Sequence, residues 1–199
     1  MATKMLKSVR IAFPALAEMQ AIGDGEPAFG AQLIIDPTTT LPDEIDALML
    51  EVAKEKWKDD GPAVLAMLKE DKKVGFHRAE YKNKKTGKPY AGFENKFYLS
   101  TRSNAKKQPT VFNKYGEPVT DKSEIERLIY SGCYVNAKVD CWPQDNQFGR
   151  RINFSLLGVM FAADGESFGG GAQVASADDF ASMAQQPENP LDDEGSDLV

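Results

Sequence analysis

Residues 77 to 103 read HRAEYKNKKTGKPYAGFENKFYLSTRS, with five lysines and two arginines interleaved among Tyr81, Tyr90, Phe93, Phe97 and Tyr98. Lysine and arginine track phosphates and release condensed counterions, while aromatic rings stack on unpaired bases of any sequence. The same mixture recurs where Tyr134 and Trp142 accompany Lys138, with Arg150 and Arg151 close behind. These residues predict phosphate contacts from Arg78, Lys82, Lys84, Lys85, Lys88, Lys96, Arg102, Lys106, Lys107, Lys138, Arg150 and Arg151. They predict base stacking by Tyr81, Tyr90, Tyr98 and Trp142. The plainer alternative is a solvated charged face with Phe93 and Phe97 filling a core. Bases in a duplex cannot be stacked upon, and no helix-turn-helix or zinc-finger pattern occurs, so a single strand is the expected target.

Other chemistry is poorly supplied. GDGEPA at 23 to 28 matches a degenerate dinucleotide-binding pattern, but Asp24 and Glu26 would repel a pyrophosphate and a strand comes next, so a turn is expected. TGKP at 86 to 89 resembles the end of a phosphate-binding loop, yet Lys82 replaces its first glycine and Pro89 its Ser/Thr. Asp71 with Glu80-Tyr81-Lys82 resembles the acidic grouping of metal-dependent nucleases, but the surrounding lysines would weaken any cation site. A metal-dependent DNA-processing nuclease therefore stays a minor alternative, and a protein-only adaptor another. His77 has no adjacent nucleophile and is expected to be structural. Cys133 and Cys141 fall on one predicted strand, ~26 Å apart at ~3.3 Å per residue, too far for a disulfide. Buried thiols are expected, with no metal and no cofactor.

The net charge of −6 conceals a polarity. Residues 72 to 114 hold twelve Lys/Arg against Glu80 and Glu94, whereas residues 152 to 199 hold nine acids and no Lys or Arg. A basic body with an acidic tail is more specific than mild acidity. No apolar run approaches the ~20 residues of a membrane-spanning helix, and the amino terminus lacks a signal-peptide pattern, so a cytoplasmic location is expected.

The elements that would position these residues are read from periodicity. KMLKSVRIAF alternates, with Met5, Lys7, Val9, Ile11 and Phe13 on one face, and is expected to stop at Pro14. AFGAQLIID reads as a second strand. Ile45, Leu48, Met49, Val52, Ala53 and Trp57 share a helical face, and Val64, Leu65 and Leu68 mark a shorter helix. NKFYLSTRS reads as a strand with Phe97 and Leu99 inward, and Asp121 with Glu124 as a capping box. GCYVNAKVDCW and RRINFSLLGVMF pair as a hairpin, with Cys133, Val135, Ala137, Val139 and Cys141 inward. From Asp164 the composition cannot offset the entropy of ordering. The prediction is a mainly β domain over residues 1–163, a five-stranded antiparallel barrel with inserted helices, and a disordered acidic tail over 164–199. An OB-fold fits the strand count, as do other small barrels.

The segment GCYVNAKVDCWPQDNQFGRRINFSLLGVMFAADGESFGGG resembles a family of tailed-phage single-stranded-DNA-binding proteins, as do VRIAFPALAE and TGKPYAGFENKFYLSTRS through VFNKYGEPV. The resemblance covers roughly residues 5 to 171. It implies an OB-fold, sequence-tolerant coating of single-stranded DNA during phage replication or recombination in an infected bacterium, and recruitment of partner proteins through the tail. Asp192, Asp193, Glu194 and Asp197 would carry that recruitment. Many such tails end in an aromatic residue; this one ends Leu198-Val199, leaving host-type and phage-specific partners both open.

Overall fold

Period-two hydrophobicity organises five long strands, and a period near 3.6 organises the helices between them. The computed structural model describes residues 2–21, 26–103 and 106–168, all within the unit Met1–Gly169. In chain order these are β1 (Ala2–Gln20), β2 (Ala28–Ile35), α1 (Leu41–Trp57), α2 (Gly61–Glu70), β3 (Phe76–His77) and β4 (Phe97–Ser103). Next come β5 (Thr110–Phe112), β6 (Pro118–Val119), α3 (Lys122–Leu128), β7 (Tyr134–Asn146) and β8 (Gly149–Ala163). The sheet order is β3-β4-β2-β1-β7-β8-β5-β6, and its ladders are antiparallel except where β5 runs parallel to β8.

The five long strands, β4-β2-β1-β7-β8, roll until their outer members meet. Residues 73–75 stitch that seam: Gly75 N–H donates to the Ile152 carbonyl (2.8 Å), Ile152 N–H to that of Lys73 (3.2 Å), and Ser100 N–H to that of Gly75 (2.8 Å). The barrel is filled by the inward faces expected from alternation, including Leu33, Leu99, Val135, Ala137, Val139, Cys141, Ile152 and Phe154. Ile45, Met49, Val52 and Ala53 of α1, with Val64, Leu65 and Leu68 of α2, join the same core. Cys133 and Cys141 are buried free thiols, and burial pushes the Cys141 thiol up to about 12. Asp121 caps α3 by accepting from Glu124 N–H at 2.9 Å.

One expectation fails instructively. β1 does not stop at Pro14, and its inward set is not Met5, Lys7, Val9, Ile11 and Phe13. Ser8 and Phe13 adopt φ of 52° and 50°, and the ladders shift register between Leu6 and Val9 and between Ala12 and Ala15. Each irregularity adds a residue and reverses the facing of the strand beyond it. The core side chains are therefore Leu6, then Val9 and Ile11, then Leu16, while Met5, Lys7 and Phe13 are exposed. Pro14 is tolerated because β1 has left β7 by then, their pairing ending at Arg10↔Tyr134.

Candidate nucleic-acid interface

The outer face of β2 and β4 carries the first part of the site. Between them, Tyr81 and Tyr90 are brought together by a tight basic hairpin, in which Tyr90 N–H donates to the Tyr81 carbonyl (3.0 Å) and Asn83 N–H to that of Lys88 (2.9 Å). Asn83 Oδ1 accepts from Lys85 N–H at 2.8 Å, and Gly87 takes φ 69°, so the turn is ordered by its own side chain and its glycine. The two tyrosine rings lie 5.3 Å apart at 24°. Lys84, Lys85 and Lys88 are exposed around the turn.

Beneath the tyrosines lies Phe93, fully buried with Ala12 and Ile34, the floor of a second apolar cluster outside the barrel. Phe93 therefore fills neither the barrel nor the solvent face. Phe13, turned outward by its positive φ, meets Tyr90 edge-on at 5.1 Å and is 46% exposed. Tyr98 is half-buried, stacked on His77 at 4.6 Å and edge-on to Tyr81 at 5.0 Å. Burial raises the Tyr81 and Tyr98 hydroxyl pKa values, with the neighbouring phenols adding to it. Burial, and then the Lys72 charge, lowers that of His77.

Phe13, Tyr81 and Tyr90 line a cavity of about 310 Å³ together with Gln32, Thr101 and Arg102. Ala28 and Arg102 also line a larger groove of about 1070 Å³ that continues toward the β7–β8 hairpin. Lys72, Lys73, Arg102, Lys106, Lys107 and Arg151 give that groove its charge, and His77 and Trp142 its rings. Trp142 is fixed by donating Nε1–H to Ser155 Oγ (2.9 Å), whose hydroxyl donates to the Arg102 carbonyl (3.3 Å). Asp140 is also on the groove wall, and burial raises its pKa.

Of the residues singled out from sequence, the structure gathers Tyr81, Tyr90, Arg102, Lys106, Lys107, Trp142 and Arg151 into this continuous surface. Others lie elsewhere. Arg78 is bound to Asp43 and Asp46 of α1, Lys96 to Asp36 (2.7 Å), and Arg150 to Asp145 (3.5 Å). Lys82 pairs with Glu80 (3.2 Å), and Lys138 is exposed on β7 but lines neither cavity. The sequence reading missed Phe13 and Gln32, one hidden by an unforeseen bulge and the other by neutrality. It also passed over Lys72 and Lys73, which lay in the basic stretch. Glu80 accepts from Asn95 N–H and Lys82, which lower its pKa in that order, and Asp71 pairs with Lys73 (3.0 Å). Among the described residues no three His, Cys, Asp or Glu side chains are grouped so as to hold a metal.

Asp164–Phe168, the first residues of the acidic segment, lie against the barrel. Arg10 Nη2 donates to the Glu166 carbonyl (2.5 Å), Tyr130 Oη to Asp164 (3.0 Å), and Phe168 N–H to the Ser131 carbonyl (3.0 Å). The Phe168 ring sits under the Arg10 guanidinium (4.1 Å) and over Gly92, joining the Phe93 cluster. Asp164–Phe168 thus end beside the aromatic patch. Asp192, Asp193, Glu194 and Asp197 lie outside the described residues, as does the first half of the expected GDGEPA turn, residues 23–25.

A closed five-stranded barrel with a basic, ring-lined groove across β2, β4 and the β7–β8 hairpin is the architecture of an oligonucleotide-binding OB-type protein. Within that class, the chain belongs to the family described as "Enterobacter phage Enc34, ssDNA-binding protein", whose model matches residues 3–190. It is 34% identical over 190 residues to the "Putative protein p50" of Acyrthosiphon pisum secondary endosymbiont phage 1, a match covering 94% of this chain and 96% of that one. Its fold is similar to that of the single-stranded DNA-binding protein from bacteriophage Enc34, solved in complex with ssDNA (TM-score 0.67, 24% identity, 84% of this chain and 89% of that one). It is also similar to that of gp2.5, a single-stranded DNA binding protein encoded by bacteriophage T7 (TM-score 0.50, 13% identity, all of both chains).

Proposed function

We propose that this protein binds single-stranded DNA non-enzymatically and with little sequence dependence, in the service of phage DNA replication or recombination. The observation that carries the reading is the continuity of ring-lined cavity and basic groove through Arg102. A strand laid along it would meet stacking surfaces at Tyr81, Tyr90 and Trp142, and phosphate partners at Lys72, Lys73, Lys106, Lys107 and Arg151. Family membership supports the same target. The acidic tail, whose first residues Asp164–Phe168 end beside the aromatic patch, is the proposed competitor for the groove and the proposed recruiter of partner proteins. Tethering gives such weak contacts a high effective concentration.

Charge reversal separates groove from surface. Arg102→Glu with Arg151→Glu is expected to abolish measurable oligo-dT binding at moderate salt. Lys138→Glu, a single charge reversal on an exposed strand position outside the groove, is expected to be nearly neutral. Equal losses from both would contradict the proposed path.

A further inference from the structure

The smaller cavity holds more than stacking surfaces. Gln32 points from the outer face of β2 into it, yet only 6% of this residue is exposed. Its Oε1 accepts from the Ser100 hydroxyl at 2.7 Å, which orients the amide. Among the described residues its Nε2 group has no partner, so two N–H donors are left beside the rings of Phe13, Tyr81 and Tyr90. Arg102, on the same wall, has one nitrogen turned to the Glu26 carbonyl and otherwise offers only donors. Thr101 is spent: its hydroxyl accepts from Ala31 N–H (3.1 Å) and donates to the Ala31 carbonyl (2.9 Å). The pocket therefore combines flat apolar faces with an edge at which Gln32 and Arg102 supply donors.

Resting on the reading of the protein as a single-strand binder, we propose that this cavity receives one nucleobase and that Gln32 reads its edge, favouring keto bases over amino bases. Thymine O4 and guanine O6 present acceptors to the Gln32 amide and the Arg102 guanidinium. Cytosine N4 and adenine N6 present donors, and donor facing donor leaves both unpaired in a buried site. The preference acts at one nucleotide, so binding elsewhere along the groove stays sequence-tolerant.

The test compares dT and dC oligonucleotides of equal length, because a homopolymer puts the same base in the pocket in every register. The full-length protein should bind dT about five-fold or more tightly than dC, the low end of what one edge contact discriminates. Gln32→Leu should bring the two affinities together. Gln32→Glu, which offers an acceptor in the same place, should bind more weakly overall but reverse the order in favour of dC. Circular dichroism and melting establish folding, and the Glu variant keeps the test alive if the Leu variant fails. A dT/dC ratio near one in the unaltered protein, or a ratio that neither variant changes, overturns the assignment. Absence of binding to either homopolymer would instead contradict the single-strand reading itself.

Discussion

At the scale of single residues, the proposed site divides into rings placed to stack and cations placed to neutralise phosphate. Tyr81 and Tyr90 share one wall, so Tyr81→Ala or Tyr90→Ala is expected to cost about 1–3 kcal/mol of oligo-dT binding. The double variant should cost less than the sum, because each ring supports the other; fluorescence anisotropy measures all three. Arg151→Ala should reduce the slope of log affinity against log salt by about 0.7, the share of one phosphate. His77 gives opposite pH signs for folding and binding. Its pKa is lowered in the fold, by burial first and then by Lys72, so the unfolded chain takes up its proton first. The contribution is present above its ordinary value of 6.5 and is lost as pH falls from there through the lowered value. Melting temperature should therefore decline less steeply below pH 6.5 in His77→Gln than in the unaltered protein. DNA affinity should move the other way, strengthening as pH falls, because phosphate in the groove favours the imidazolium. The rings and cations were legible as residue types; which of them cooperate was not, since Arg78, Lys96 and Arg150 differ from Arg102 and Arg151 only in having acidic neighbours brought to them by the fold.

At the scale of elements, period and capping carried far. Ile45, Met49, Val52 and Ala53 announce the buried face of α1, Asp121 and Glu124 the start of α3, and the alternation from Cys133 to Cys141 the inward face of β7. The bulges at Ser8 and Phe13 left no such mark, because a positive φ in a non-glycine residue is imposed by the strands on either side. That missed geometry places Phe13 in the site and Leu6 and Leu16 in the core. The approach of β2 to β4 is similarly set by a bare backbone. A Cβ on Gly30 would fall 2.2 Å from the Thr101 carbonyl oxygen. Gly30→Ala is thus expected to push these strands apart and destabilise the barrel by about 1–3 kcal/mol in denaturant unfolding. The oligo-dT affinity of the folded fraction should also drop, because the same residue lines the cavity beside Gln32.

At the scale of the whole molecule, the division of charge between a basic body and an acidic carboxy-terminal segment was plain in composition. The continuity of the site was not, since it joins β1, the Tyr81–Tyr90 hairpin, β4 and the β7–β8 hairpin across the barrel. Residues 169–199 carry seven acids and no Lys or Arg. Removing them should tighten binding at low salt, with the difference shrinking as salt screens the tail from the groove. The most direct test of single-strand binding is a titration of labelled oligo-dT against a duplex of equal length at several salt concentrations, using the full-length protein. Much tighter binding of the single strand is expected, with affinity falling log-linearly as salt rises. Equal affinity for the duplex, or single-strand binding indifferent to salt, would contradict it.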